Sequence, residues 1–293
     1  MTAAPTEMAI FVRTSWLTLV LDFATIVLEF PTRTMLENEI REELQTKIFG
    51  RQLFIFDSID STNTFAKSIA SKTEEGALVI TEEQTAGRGR LGRSWSTERE
   101  KNLTFSLILK PTIAPEYLGV LSLFACVAVV EAIRSKTQLV PHCKWPNDIL
   151  VSGKKCCGIL SESILTNGFP SSVIIGIGLN VNQENFSEEL QPIATSLFLE
   201  AGKSLNRIEL LSSLLVKLEH WYTFIRRNDY KRIIDTWQSY APMMGTRITI
   251  NNNGQRVEGI AHRLEDNGTL MLQSDDREYT CTAGDVILSH EKK

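Results

Sequence analysis

The run from Gln84 to Trp95 holds the densest group of cations in the chain: Arg88, Arg90 and Arg93 stand among Gly87, Gly89 and Gly92, and Trp95 closes it. Three guanidiniums so close repel one another, a cost that a bound polyphosphate or carboxylate offsets by neutralising them. Gly87 to Gly92 formally satisfies the dinucleotide fingerprint GxGxxG, and Gly87 to Ser94 is a phosphate-loop pattern with Arg93 where lysine belongs. Both motifs need a helix opening directly after the glycines. Here Ser94-Trp95-Ser96-Thr97 and then a strand-like run follow instead, so an anion would be held by arginine forks and loop amides. Such a loop should be mobile when empty and ordered when occupied, with Trp95 covering an apolar or planar ligand. A solvated basic turn would carry the same residues.

A second group of chemically capable residues is Lys144-Trp145-Pro146-Asn147-Asp148, followed by a Ser152-Gly153 turn and Lys154-Lys155-Cys156-Cys157-Gly158. If the turn has two residues, Val151 pairs with Lys154 and Leu150 with Lys155. Asp148 and Lys155 then lie diagonally on one side, and Lys154 points the other way. A lysine held there can stabilise charge that builds up on a transferring phosphoryl or acyl phosphate; a surface hairpin ion pair is the plainer reading. In Ile174 to Asn182 the odd positions form an apolar face, while Gly176, Gly178 and Asn180 form the other. That second face is nearly bare backbone, which suits a slot for a flat ligand or close strand packing.

The elements that must position these groups follow from periodicity. Leu36, Ile40, Leu44 and Ile48 recur every four residues and predict a helix from Met35 to Gly50. Leu53 to Phe56 reads as a strand, Ser61-Thr62-Asn63 as a cap for a short helix, and Ala77 to Thr81 as a buried strand. Leu103, Phe105 and Leu107 alternate with Thr104 and Ser106 in a further strand, and a buried helix spans about Pro115 to Ser135. Closely spaced strands at 142–145, 148–151, 156–164 and 172–182 imply antiparallel hairpins. Helices over Arg207 to Arg227 and Tyr230 to Tyr240 precede short β runs at 246–250, 257–263, 270–273 and 285–289, which read as a small barrel.

Length and composition fit this picture. With 293 residues and 43% hydrophobic content, the chain can bury one α/β core and supply a small extra domain. A net charge of −4 gives no general reason to bind nucleic acid. Five cysteines, an odd number with Cys156 and Cys157 adjacent in a β-like run, point to buried thiols in a reducing cytoplasm and not to a disulfide framework or a metal site. Ala9 to Phe30 is apolar, but Arg13, Asp22 and Glu29 make a membrane span unfavourable. A translation start at Met35, with 1–34 as an extension, would also account for that segment.

Taken in order, Asp60-Ser-Thr-Asn63, Gln84-x-Ala-Gly-Arg-Gly-Arg-x-Gly-Arg-x-Trp95, Lys144-Trp-Pro-Asn-Asp148, Lys155-x-x-Gly-Ile-Leu160 and Gly176-x-Gly-x-Asn180 make the chain similar to the biotin protein ligases. The resemblance runs from about Arg51 to Ser289 and takes in Ala194-Thr-Ser-Leu197 and Gly284-Asp-Val286. It implies an α+β fold: a mixed, largely antiparallel sheet with flanking helices, of the class II synthetase-like type, plus a C-terminal SH3-like small β-barrel. The implied division is an N-terminal extension over 1–50, a catalytic domain over 51–241 and the barrel over 242–293.

The activity implied is that of a ligase joining biotin to adenylate with ATP, Mg2+ accompanying the ATP, then passing biotin to one lysine of a biotin carboxyl carrier protein. By resemblance, biotin would meet Ser61, Thr62, Asn63, Gln84, Gly87, Arg88, Gly89, Arg90, Trp95, Lys155, Gly158, Gly176 and Gly178. The nucleotide would meet Arg88, Arg90, Arg93, Lys144, Asn147 and Asn180, with Lys155, Arg90 and Asp148 catalytic and no resident metal. Seven acids against four bases in the first 50 positions disfavour the DNA-binding domain that bifunctional relatives carry, and Ser289 stands where some relatives have arginine. No DNA and no membrane are expected as partners, and monomer and homodimer both stay open. The competing readings are a lipoate or octanoate ligase and a biotin-sensing repressor.

Overall fold

The computed structural model describes residues 31–252, 255–274 and 277–288. The apolar Ala9 to Phe30 segment and Ser289 lie outside the described residues. Helix α1 runs over Pro31–Glu43, earlier at both ends than the predicted helix from Met35 to Gly50. What stops it is a carboxylate from elsewhere: the amides of Lys47, Ile48 and Phe49 all donate to Glu219 at 2.7–3.1 Å, and a helix would need those amides itself. Gly50, at φ +76, then turns the chain into the first strand.

A seven-stranded sheet forms the larger body, built from β1 (Leu53–Ile59), β2 (Leu78–Gln84), β3 (Leu103–Leu109), β4 (His142–Lys144), β5 (Asp148–Val151), β6 (Lys154–Thr166) and β7 (Phe169–Leu179). Its order is β1-β2-β3-β7-β6-β5-β4, and only β1 and β2 are parallel, as expected for a mixed, largely antiparallel sheet. That parallel pair needs a crossover, supplied by α2 (Thr62–Ile69), whose N-cap Ser61 accepts from the Thr64 amide. Ser61, Thr62 and Asn63 are thereby fixed over the end of the sheet.

Helix α3 (Val120–Lys136) is apolar nearly all round because it is covered on every side, by the sheet and by α5 (Arg207–Arg226) and α6 (Tyr230–Ser239). By length and composition it would suit a membrane, but here it is a core helix. Asn206 caps α5 through the Ile208 and Glu209 amides, and Asp229 caps α6. The short α4 (Leu197–Ala201) follows an irregular stretch over 183–194.

Beyond α6, β8 (Arg247–Asn252), β9 (Gln255–Leu264), β10 (Leu270–Ser274), β11 (Arg277–Cys281) and β12 (Asp285–Leu288) form an antiparallel sheet in the order β11-β10-β9-β8-β12. The expected C-terminal β unit is present as this sheet, and its closure into a barrel is not shown. Among the described residues β11 and β12 stand at the two edges and do not pair, and β11 itself is a strand the alternation missed. Its first four residues are exposed, so it carries no apolar period to read. The two sheets share one hydrophobic core, and Trp145 donates its indole N–H to the Gly268 carbonyl at 3.1 Å across the junction.

Candidate functional site

Two hairpins set the geometry. In the β5–β6 turn Ser152 and Gly153 both have positive φ (+50 and +79), the two-residue turn on which the register argument rests. Val151 pairs with Lys154 and Leu150 with Lys155, as the spacing predicts. One residue further a bulge intervenes, so that Ile149 faces Cys157 and Asp148 faces Gly158. Lys155 Nζ meets Asp148 Oδ1 at 2.7 Å, while Lys154 turns away to the Gln191 carbonyl.

The arginine loop is a second, irregular hairpin. Gly89 N–H donates to the Arg93 carbonyl at 2.7 Å and Trp95 N–H to the Gly87 carbonyl at 2.9 Å, with a single tight turn over Arg90–Gly92 between them. No helix follows, so neither nucleotide motif is realised. Gly87 does not line the cavity; a Cβ there would stand 2.3 Å from the Trp95 carbonyl oxygen, so its place is in the backbone crossing. The other predicted biotin contacts, from Ser61 through Gly178, all line one cavity of about 100 Å³, joined by Asn147, Asp148 and Arg93.

The floor of that cavity is built from three paired strands. Thr104, Gly178 and Gly158 form one row across β3, β7 and β6, and Ser106, Gly176 and Leu160 form the next. The bare glycine face is not left open for a flat ligand, however. The Trp95 indole lies on it, with Cε2 only 2.3 Å from where a Gly178 Cβ would be, and the Asn63 amide covers Gly176. Both the Trp95 indole N–H and the Thr104 hydroxyl are buried beside the cavity without a partner among the described residues.

Polar side chains at the floor form one connected chain. Gln84 Oε1 accepts from the Thr62 amide at 2.8 Å and lies 3.1 Å from its hydroxyl; Ser106 Oγ lies 2.8 Å from Thr62 Oγ1 and donates to Asn63 Oδ1 at 2.6 Å. Asn63 in turn donates to Glu162 at 2.8 Å. All of Ser61, Thr62, Asn63 and Ser106 are buried. Ser106 and Glu162 were not among the residues expected at the site. Their partners lie tens of residues away, a pairing that only the folded sheet reveals.

Cations line the opposite wall, each lent to a protein acceptor. Arg88 reaches Glu162 at 3.2 Å, Arg93 pairs with Asp285 of β12, and Lys155 pairs with Asp148. Arg90 differs: its partner is the neutral amide oxygen of Asn147 at 3.1 Å. Burial pushes the Arg90 guanidinium down, while the charges of Asp285 and Asp148 push it back up. It remains charged, partly desolvated and, among the described residues, without an ion-pair partner, which makes it the strongest lure in the site for an incoming anion. Asp285, noted in sequence only as part of Gly-Asp-Val, enters the site because the second sheet folds against the loop.

A larger compartment of about 460 Å³ opens on the other side of Trp95, sharing Arg93, Ser94, Asp148 and Lys155 with the first. Lys144 and Asn180 lie here, away from the inner cavity. Asn180 is committed to the fold, its amide donating to the Thr195 carbonyl at 3.0 Å. Phe186, Leu190 and Ile193 from the irregular 183–194 stretch supply an apolar wall suited to a planar base. Lys155, on the shared boundary, also stands 5.6 Å from the centre of the Trp95 ring. A polar inner chamber, an apolar outer one and cations between them suit the joining of two substrates end to end.

Comparison with known proteins decides the family. The Biotin/lipoate A/B protein ligase family matches residues 55–180. The chain is 38% identical over 255 residues to the bifunctional ligase/repressor BirA of Bacillus subtilis, covering 86% of this chain and 78% of that protein. It is 33% identical over 263 residues to the biotin–[acetyl-CoA-carboxylase] ligase of Mycobacterium tuberculosis, covering 86% and 94%. The chain belongs to the biotin protein ligases. The fold agrees: a biotin protein ligase from Aquifex aeolicus in complex with biotin and ATP superposes with a TM-score of 0.70 at 27% identity, over 81% of this chain and 98% of that one.

The five cysteines of this ligase are all free and buried. Burial pushes the Cys156 thiol up to about 12 and raises those of Cys143 and Cys157 as well, so they are inert packing groups. Among the described residues no group of three or more His, Cys, Asp or Glu side chains is placed to hold a metal ion.

Proposed function

We propose that this ligase activates biotin with ATP to biotinyl-5'-adenylate and transfers the biotinyl group to a lysine of a biotin carboxyl carrier protein. The observation that carries the reading is the Gln84–Thr62–Ser106–Asn63 chain, half-buried at Gln84 and buried at the other three, lying beside Arg90 and Lys155. A ureido ring offers two N–H donors and one carbonyl acceptor to such a floor. The dithiolane of lipoate offers neither and would leave buried polar groups unpaired, which discriminates strongly against it.

In the first step a carboxylate oxygen of biotin bonds to the α-phosphorus of ATP as the bond to the β-phosphate breaks, releasing diphosphate. Arg90 and Lys155 converge where charge builds up in that step, and Asp148 orients Lys155. In the second, the acceptor amine bonds to the acyl carbon, AMP leaves with the electron pair of the acyl–oxygen bond, and the amine gives up one proton to water. The site's carboxylates are each engaged by a cation, so Mg2+ would enter as part of the Mg–ATP substrate. Five reduced thiols support a cytoplasmic setting.

The deciding experiment is mass measurement of a purified carrier domain after incubation with ATP and either biotin or lipoate. The expected product is the biotinylated domain; lipoylation without biotinylation would overturn the proposal.

A further inference from the structure

The polar chain on the cavity floor ends at Glu162, which belongs to β6 and lies behind Asn63 and Arg88. Three donors converge on its carboxylate: Lys67 of α2, the Asn63 amide and the Arg88 guanidinium. Burial pushes the carboxyl up, but the hydrogen bonds from Lys67 and Asn63 and the charges of Lys67 and Arg88 outweigh it, leaving it below the ordinary carboxylate range.

A carboxylate can only accept, so its position fixes the orientation of every group connected to it. Asn63 turns its NH2 toward Glu162 at 2.8 Å, with the Leu160 carbonyl as a longer second acceptor at 3.3 Å, and its carbonyl oxygen toward Ser106, which stands 2.6 Å away. Ser106 then spends its one proton on Asn63 and offers lone pairs to Thr62. That same Asn63 oxygen is the atom lying over Gly176, on the wall of the cavity.

We propose that Glu162 is a positioning residue that sets the donor–acceptor polarity of the cavity floor, keeping the Asn63 oxygen available as an acceptor for a ring N–H. This rests on the reading of the cavity as the site of biotin's ureido ring and names what makes that site selective for N–H donors. Lys67 has the complementary role. Because it stays paired with Glu162, Arg88 is free to leave for a ligand anion without stranding the carboxylate.

The substitution that isolates polarity is E162Q, which keeps size and shape. Lys67 has no acceptor and claims the oxygen of the new amide, whose NH2 then confronts that of Asn63. Relief comes by flipping Asn63, which gives up its longer bond to the Leu160 carbonyl and turns a donor toward Ser106 and the cavity. A second change, N63D on the E162Q background, restores an acceptor at both ends of that position and returns the total charge to its original value.

The test is calorimetric titration of biotin into the full chain, with thermal unfolding measured alongside. Expected is a biotin Kd raised about tenfold or more in E162Q and recovered to within about threefold of wild type in the double variant. A wild-type Kd in a folded E162Q overturns the inference and leaves the functional reading intact. A loss that N63D does not recover overturns it too, since Glu162 would then act only through its ion pairs. No biotin binding by the wild type would sink the functional reading and this inference with it. Should E162Q fail to fold, S106A is read in its place, because it cuts the chain without touching a charge: weakened biotin binding supports the inference, and an unchanged Kd overturns it.

Discussion

Replacing Gly178 by alanine tests whether the indole of Trp95 must rest on bare backbone. The new Cβ would stand 2.3 Å from Cε2, 2.5 Å from Nε1 and 2.6 Å from Cζ2 of that ring. Carbon atoms settle at about 3.5–4.0 Å, so the indole has to retreat by more than about 1 Å. The sheet lies beneath it and Lys155 Nζ stands 5.6 Å from the ring centre, so the open direction is into the ligand cavity that the ring lines. Overpacking of this kind costs about 1–3 kcal/mol, or roughly 4–8 °C in Tm at mid-range for a chain of this size. The functional loss should be larger, since misplacing a positioning group by about 1 Å can slow chemistry by about a hundredfold. Biotin-dependent exchange of labelled diphosphate into ATP reads adenylate formation directly, and G178A should lower it by about 10- to 100-fold. On a W95A background the same change should cost much less, because the ring it displaces is gone. A G178A enzyme with unchanged Tm and exchange rate would refute the placement of the indole.

Three further outcomes are expected. Lys155→Ala should reduce adenylate formation by about 10²–10³-fold while biotin still binds, because Lys155 acts on charge developing at the shared boundary of the two compartments; normal turnover in single-turnover assays would remove it from the mechanism. Glu219→Gln should lower Tm by about 4–10 °C, since one amide oxygen cannot replace a carboxylate that accepts from three successive backbone N–H groups, and a shift under about 1 °C would contradict that role. The stability difference between wild type and E162Q should be full at neutral pH and vanish in acid: the folded carboxyl titrates below its unfolded value, so its contribution is present above the unfolded pKa and lost as pH falls through the folded one. Urea unfolding at pH 7 and below pH 4 checks the sign, and a difference that grows in acid would reverse it.

Much of the site was legible in the sequence because its logic is local. Rejecting the GxGxxG and phosphate-loop matches required only the residues that follow Gly92, and the structure places no helix there. Pairing Lys155 with Asp148 required only the two-residue turn at Ser152-Gly153; the bulge after Leu150 changes the register beyond it yet leaves the two side chains in contact. What depends on contacts distant in sequence could not be read. Gly176 and Gly178 announced a close approach but not by what, and the answer is a ring and an amide from the same chain. Glu162 looked like any polar position on a strand, and Asp285 like part of a turn, until α2 and the loop converged on the first and the loop met the second.

These long-range contacts tie the loop at both ends. Its first arginine is tied to the main sheet through Glu162 and its last to the second sheet through Asp285, leaving Arg90 between them with only an amide. Lys67, Arg88, Arg90, Arg93 and Lys155 stand against Asp148, Glu162 and Asp285, so a chain of net charge −4 carries a local surplus of two positive charges here. The Arg88 and Arg93 side chains are 47% and 64% exposed, and pairs so open to solvent contribute only about 0–1 kcal/mol each. They are strong enough to bias where the loop rests and too weak to hold it against a carboxylate or a polyphosphate. Exchange of protein carboxylates for ligand anions at Arg88 and Arg93 is therefore nearly neutral in energy, and the net gain on binding falls on Arg90, the cation that starts without an ionic partner.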